Sequence, residues 1–255
     1  MGAREADKTI DRRQKMTDLD DILGDLVAAN RILAHENVVD GYGHVSVRHP
    51  DKPERFFLAR SRSPELVERG DLLEFGPDGE PVKDNGPDVY KERYIHAAIL
   101  EARPDVLSVV HNHSEELLSF GVTGTKLRPV FHTAARIGPE VPVWDIADKF
   151  GDTDMLVVNM EQGRDLAATL GGNRLVLMRG HGSSVAMPGL QYAVTTAIYA
   201  QANARVQMNA MMMGQNVKYL SPGELANTGD LSAPNSLGAQ RTWEYYCRRA
   251  GCMVN

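Results

Sequence analysis

Two short, mainly apolar runs, Val106–Val110 and Arg174–Met178, limit what this chain can fold into. Each is too short for a buried helix, so both are expected as buried strands. Helical patterns surround them. Leu19, Ile22, Leu23, Leu26, Val27 and Leu33 share one face of a helix expected from the Thr17 N-cap, with Asp20 as a capping-box variant, to about His35. Asp88–Glu101 and Gly163–Leu170 read as further helices. Pro188, as an N1 proline, opens a long one carrying Val194, Ile198, Ala202, Val206 and Met213. A last helix with Trp243, Tyr245 and Tyr246 lies within Ser232–Arg249. His44–Arg48 and Arg55–Arg60 read as strands, and Asp71–Phe75 with Glu80–Lys83 as a hairpin around Pro77-Asp78-Gly79. Strands and helices mixed in this way imply an α/β domain. A length of 255 residues suits one large domain that buries most of its apolar surface. Residues 1–16 are polar and expected as a mobile tail, leaving 17–255 as the domain.

Charge and cysteine usage remove several classes of function. The net charge is −6, so there is no basic excess to neutralise phosphates and no nucleic-acid partner is expected. Cys247 and Cys252, the two cysteines, offer no disulfide framework and favour a reducing compartment. The polar start lacks the apolar core of a signal peptide. Met1-Gly2 fails the myristoylation pattern because Ala6 stands where Ser or Thr is needed. No run approaches the ~20 apolar residues of a membrane helix. A cytoplasmic protein without membrane attachment is expected.

The chemistry is concentrated where the two apolar runs end. His111 and His113 lie two apart, and in an extended segment such side chains share a face. They can reach one ion together, or they can be polar strand-end residues that cap the next helix. His181, between Gly180 and Gly182, follows the second run; it can be a ligand or a surface residue in a tight turn. Both sets occupy the strand ends where α/β folds collect ligands. Three neutral imidazoles leave a divalent ion with open positions, as in catalytic sites.

Glu92 falls on the expected Asp88–Glu101 helix, one turn from His96. Composition alone makes it a solvated face residue; beside an ion it is a fourth ligand, an acid/base, or both. His44, Arg60, Arg62 and Lys91 are cations, or potential cations, suited to an anionic substrate if they converge, although Arg62 reads as ordinary surface charge. His132, after Pro129-Val130-Phe131, is either a pocket residue or a structural one.

Taken together, the pieces Gly43-His44-Val45-Ser46-Val47-Arg48, Glu92, Val109-Val110-His111-Asn112-His113-Ser114 and Arg179-Gly180-His181-Gly182 resemble the class II aldolase/adducin superfamily. The likeness runs from about residue 20 to residue 214. It includes the family's acidic residue 19 positions before a histidine pair, here Glu92 and His111. The resemblance implies a single-domain three-layer α/β/α sandwich with a mostly antiparallel central sheet, and a homotetramer with sites near subunit interfaces. It implies His111, His113 and His181 as metal ligands and Glu92 as an acid/base residue that can approach the metal.

Departures from the family narrow the substrate. Its sugar-phosphate aldolases carry Gly-Asn at Gly43-His44, a Thr-Pro-Ser-Gly-like segment near Ala59-Arg60-Ser61-Arg62, and two serines at Tyr90 and Lys91. Losing these phosphate-binding groups argues against a phosphorylated sugar. Ser61-Arg62-Ser63-Pro64-Glu65-Leu66-Val67, Arg93-Tyr94-Ile95-His96 and Leu177-Met178-Arg179-Gly180-His181-Gly182 are similar to a decarboxylase branch. Members of that branch remove CO2 from hydroxy-dicarboxylates such as carboxy-hydroxymuconic semialdehydes and dihydroxyphthalates. The resemblance thus implies a non-oxidative, metal-dependent carboxy-lyase of aromatic compound degradation. Its catalytic residues are expected to be Glu92 and His44, and its substrate-binding residues Arg60, Lys91, Ser46 and His132. Imidazole ligands suit Mn2+, Zn2+, Fe2+ and Co2+; zinc is general among the aldolases, and Mn2+ is expected here from the decarboxylases. Three alternatives stay open: an aldolase of a non-phosphorylated hydroxy-keto acid, a non-catalytic adducin-like binding domain, and a metal-dependent oxygenase, since the superfamily includes iron-dependent examples.

Overall fold

The computed structural model describes residues 2–83, 86–214, 216–228 and 236–252, with residues 2–18 as backbone only. Seven strands form one sheet: β1 His44–Arg48, β2 Phe56–Ala59, β3 Leu72–Phe75, β4 Ser108–Asn112, β5 Val143–Trp144, β6 Leu175–Met178 and β7 Gly182–Met187. Their order is β3-β2-β1-β4-β7-β6-β5, and every neighbouring pair is antiparallel except β5–β6. The helices are α1 Gly2–His35, α2 Arg93–Ala102, α3 Glu115–Gly121, α4 Ala147–Phe150, α5 Met160–Leu170, α6 Leu190–Met212, α7 Pro222–Asn227 and α8 Leu237–Arg249.

Strand alternation assigns two cores. Val45, Val47, Val110, Leu177 and Val185 face apolar side chains of α1, α3, α6 and α8. Leu58, Val109, Val176, Met178 and Ala186 face those of α2 and α5. Neighbouring residues such as Val109 and Val110 therefore pack into different cores, so the central strands are buried on both sides. This is the three-layer α/β/α sandwich with a mostly antiparallel sheet. By the same alternation, His44, Ser46 and His111 share the α2 side of the sheet.

Several element boundaries differ from the sequence reading. The first helix begins at Gly2 and passes through Thr17; the stretch upstream contains no proline and is rich in helix formers. Its described packing begins at Leu19 and Ile22. The second arm of the expected hairpin shrinks to a single bridge between Phe75 and Pro81, because proline has no N–H for a ladder. The second core helix starts at Arg93 rather than Asp88. Val89 is drawn off to bridge Arg60, and Glu92 becomes the N-cap. The long helix starts at Leu190 with Gly189 as N-cap, two residues beyond the expected opening near Pro188. Of the expected last helix, residues 232–235 lie outside the described residues.

α5 and α2 pack closely where Gly163 meets α2. A Cβ at Gly163 would stand 2.6 Å from the Tyr94 carbonyl oxygen and 2.9 Å from the Ala98 Cβ. Gly163→Ala is expected to destabilise the protein by about 1–3 kcal/mol through overpacking. Thermal melts read this as a midpoint lowered by several degrees; an unchanged midpoint would mean that the helices separate freely.

Candidate metal centre and active site

The register of three strands assembles most of the site. β4 is central, with His111 paired to His44 on β1 and to Ser184 on β7. Directly opposed residues project to one face, so these three side chains meet. His113 lies just beyond β4, two residues from His111 on the same side. His181 occupies the tight turn between β6 and β7. Gly182 lets that turn come close: a Cβ there would lie 2.1 Å from the Asn112 carbonyl oxygen. Glu92 enters from the start of α2, held by the Val157 N–H donating to Oε1 at 3.0 Å.

Four ligand atoms converge. His111 Nε2 and His113 Nε2 are 3.1 Å apart. Glu92 Oε2 is 3.3 Å from His181 Nε2 and 3.6 Å from His111 Nε2. All four groups offer an atom within 4.8 Å of one another. Two ligands about 2 Å from a shared ion stand roughly 3–3.5 Å apart, so the separations of 3.1, 3.3 and 3.6 Å suit one first-row divalent ion.

The outer partners support the same donor set. The Met155 carbonyl, which can only accept, lies 2.9 Å from His181 Nδ1. Nδ1 therefore carries the proton, and in the neutral ring Nε2 presents a lone pair. Ser184 Oγ sits 3.4 Å from His111 Nδ1, and the Asp40 carboxylate 3.6 Å from His113 Nδ1. Each ring thus turns Nδ1 toward an outer partner and Nε2 toward the centre.

The centre forms one wall of a cavity of about 840 Å3 that is also lined by Tyr42, His44, Tyr90, Lys91, Met155 and Leu156. His44 is 3% exposed, with its ring 4.6 Å from Tyr90 and 5.1 Å from His111. Lys91 has no ion-pair partner among the described residues. The Tyr90 hydroxyl is engaged by the Arg62 carbonyl and, chiefly through burial, its pKa is pushed up to about 12. Tyr90 is therefore a wall rather than a proton donor.

Three residues expected to bind substrate are placed elsewhere. Arg60 Nε lies 2.6 Å from Asp71 Oδ1, and Arg62 shares the same carboxylate at 2.7 Å, so the charge of Arg60 is already paired away from the cavity lining. Ser46 is fully buried with its hydroxyl on His96. His132 opens a short 3-10 turn packed on α6 and lines a different depression with Gln191 and Thr195. Sequence reasoning missed Asp40, Ser184 and Met155 as outer partners. Asp40 carried the one available signal, its place in Asp40-Gly41-Tyr42-Gly43 just before the motif; the Met155 contact is made by backbone.

The imidazoles titrate in opposite directions. Burial pushes His44, His96 and His111 down, His96 to about 3, and neighbouring rings lower His44 and His111 further. Burial also pushes His181 down, but the Glu92 carboxylate and Met155 carbonyl outweigh it and raise its pKa. A folded-state pKa below that of the unfolded chain means that unfolding takes up protons. The stability from His44, His96 and His111 is complete above pH about 6.5 and is lost as pH falls toward their folded values. Metal-free protein is expected to melt at progressively lower temperature as pH drops below about 6.5. A flat midpoint across that range would count against neutral buried rings.

Comparison with known proteins agrees with this geometry. Residues 24–208 match the family described as Class II Aldolase and Adducin N-terminal domain. The chain is 31% identical over 252 residues to the decarboxylase tropJ of Talaromyces stipitatus, covering 90% of this chain and 95% of that one. It is 27% identical over 239 residues to the 3,4-dihydroxyphthalate decarboxylase of Arthrobacter keyseri, covering 88% and 92%. Among solved structures, an aldolase II superfamily protein from Pseudomonas syringae superposes with a TM-score of 0.74 at 22% identity, over 90% of this chain and 92% of that one. The chain belongs to the class II aldolase and adducin family.

Proposed function

We propose that this protein is a divalent-metal-dependent, non-oxidative decarboxylase of a hydroxylated aromatic dicarboxylate or a ring-cleavage product. The observation that carries the reading is the convergence of His111, His113, His181 and Glu92 on a cavity also lined by the rings of Tyr42, His44 and Tyr90 and by Lys91, which has no ion-pair partner among the described residues. Relatives named as decarboxylases, matched over nearly their whole length, support it.

When bound, a divalent ion supplies Lewis acidity, drawing off the electron pair that departing CO2 leaves on carbon. The chain's own residues do the rest. Lys91 pairs with the carboxylate that is retained. The rings of His44 and Tyr90, packed against each other, form one wall beside a planar substrate and keep water from that side. The carbon–carbon bond breaks, CO2 leaves, and one proton takes its place on carbon. Glu92 Oε2, beside His181 and His111, delivers that proton. Mn2+ is the ion favoured in this reading, and a homotetramer its assembly; elemental analysis and light scattering measure each.

An aldolase of a non-phosphorylated hydroxy-keto acid would use the same residues, and the likeness in fold to L-fuculose 1-phosphate aldolases keeps that reading in view. Hydroxy-dicarboxylates offered with Mn2+ decide between them. CO2 with a single organic product is expected; two carbonyl fragments without CO2 would establish the aldolase. An adducin-like binding domain would give neither product and hold no stoichiometric ion.

A further inference from the structure

A buried line of side chains runs from the cavity wall into the core. His44 Nδ1 lies 2.6 Å from His96 Nε2, and His96 Nδ1 lies 2.6 Å from Ser46 Oγ. Ser46 and His96 are fully buried, and His44 alone of the three lines the cavity. Every group in this line can either give or accept a proton, so the line has two arrangements. In the first, the Ser46 hydroxyl donates to His96 Nδ1, His96 Nε2–H donates to His44 Nδ1, and His44 carries its proton on Nε2. In the second every bond is reversed, and His44 Nε2 is a bare lone pair.

Ser46 decides between them. Among the described residues its hydroxyl has no partner other than His96. If it accepted from His96, its own O–H would be buried with nothing to receive it, which a protein interior penalises. The first arrangement leaves no orphaned donor. His44 Nε2 bonds to nothing among the described residues and is free to face the cavity.

We propose that Ser46 and His96 are positioning residues that lock His44 in the Nε2–H tautomer, so that His44 presents a fixed N–H donor to a substrate carboxylate. The tautomer stands on the buried hydrogen bonds alone; the identity of the acceptor rests on the decarboxylase reading above. The assignment agrees with the place of His44 outside the metal donor set, although its ring lies 5.1 Å from that of His111. A nitrogen that carries a proton has no lone pair to offer an ion.

The experiment is two-bond 1H–15N correlation spectroscopy of the full-length, Zn2+-loaded protein labelled at histidine nitrogens. His44 is expected to show a protonated Nε2 and a bare Nδ1, and its Hε2 to move downfield when phthalate, an unreactive dicarboxylate, is added. Ser46→Ala should convert His44 to a mixed or reversed tautomer and lower kcat/KM for 3,4-dihydroxyphthalate by about 10- to 100-fold, as loss of a partner that fixes an imidazole does. Ser46→Thr, which keeps the hydroxyl, should restore both. A wild-type His44 protonated on Nδ1, or a tautomer unmoved in Ser46→Ala, overturns the lock. If Ser46→Ala does not fold, the wild-type spectrum decides. An Hε2 unmoved by phthalate overturns the carboxylate acceptor. The expected tautomer and phthalate shift without CO2 release from any hydroxy-dicarboxylate would defeat the decarboxylase reading and leave the lock standing.

Discussion

Replacing His113 with alanine is expected to strip the protein of its ion and abolish turnover. The change removes one of three imidazole donors, 3.1 Å from its neighbour on His111, and with it the ring that faces Asp40. Losing merely an outer partner of a metal ligand costs about 10- to 100-fold in affinity, so losing the ligand itself should cost at least about 100-fold. The fold should survive, because His113 lies beyond the end of β4 with its side chain partly exposed. Metal content after desalting, CO2 release and far-ultraviolet circular dichroism measure the three effects together. A folded variant that keeps one ion per chain and turns over normally would remove the proposed centre.

Glu92→Gln is expected to separate chemistry from metal binding. The amide oxygen of glutamine can still accept from the Val157 N–H, so the side chain stays in place. It loses the charge beside His181 and His111, and with it the oxygen proposed to deliver the proton. Removal of a positioned acid/base group lowers rates by about 100- to 10,000-fold. Turnover should fall within that range while the ion remains bound. If the ion is lost as well, Glu92 serves chiefly as a ligand; if turnover is unchanged, the proton comes from elsewhere.

The sandwich was legible where apolar runs were short and where polarity changed abruptly at their ends. Val106–Val110 and Arg174–Met178 announced β4 and β6, and the histidines that follow them announced the centre. β7 was not legible, because Ser183 and Ser184 are polar in sequence yet fully buried in the sheet. β5, with two residues, is too short for a periodic pattern. The helix boundary at Glu92 was hidden because Val89 prefers a bridge to Arg60 that no local pattern reveals. The same limit explains the cations. Sequence shows Arg60 and Lys91 as equals, but Asp71, 11 residues beyond Arg60 and just before β3, pairs with Arg60 and leaves Lys91 unpaired among the described residues.

The close approach at Gly182 bears on how such a protein changes over generations. The floor of the cavity is set by strand pairing and by a glycine with no room for a side chain, so a mutation there disturbs the hairpin before it alters specificity. Tyr42, Lys91 and Leu156 stand on connecting segments around the opening, where replacement leaves the sheet intact. Substitutions at Tyr42, Lys91 and Leu156 are therefore expected to shift substrate preference while the floor stays fixed.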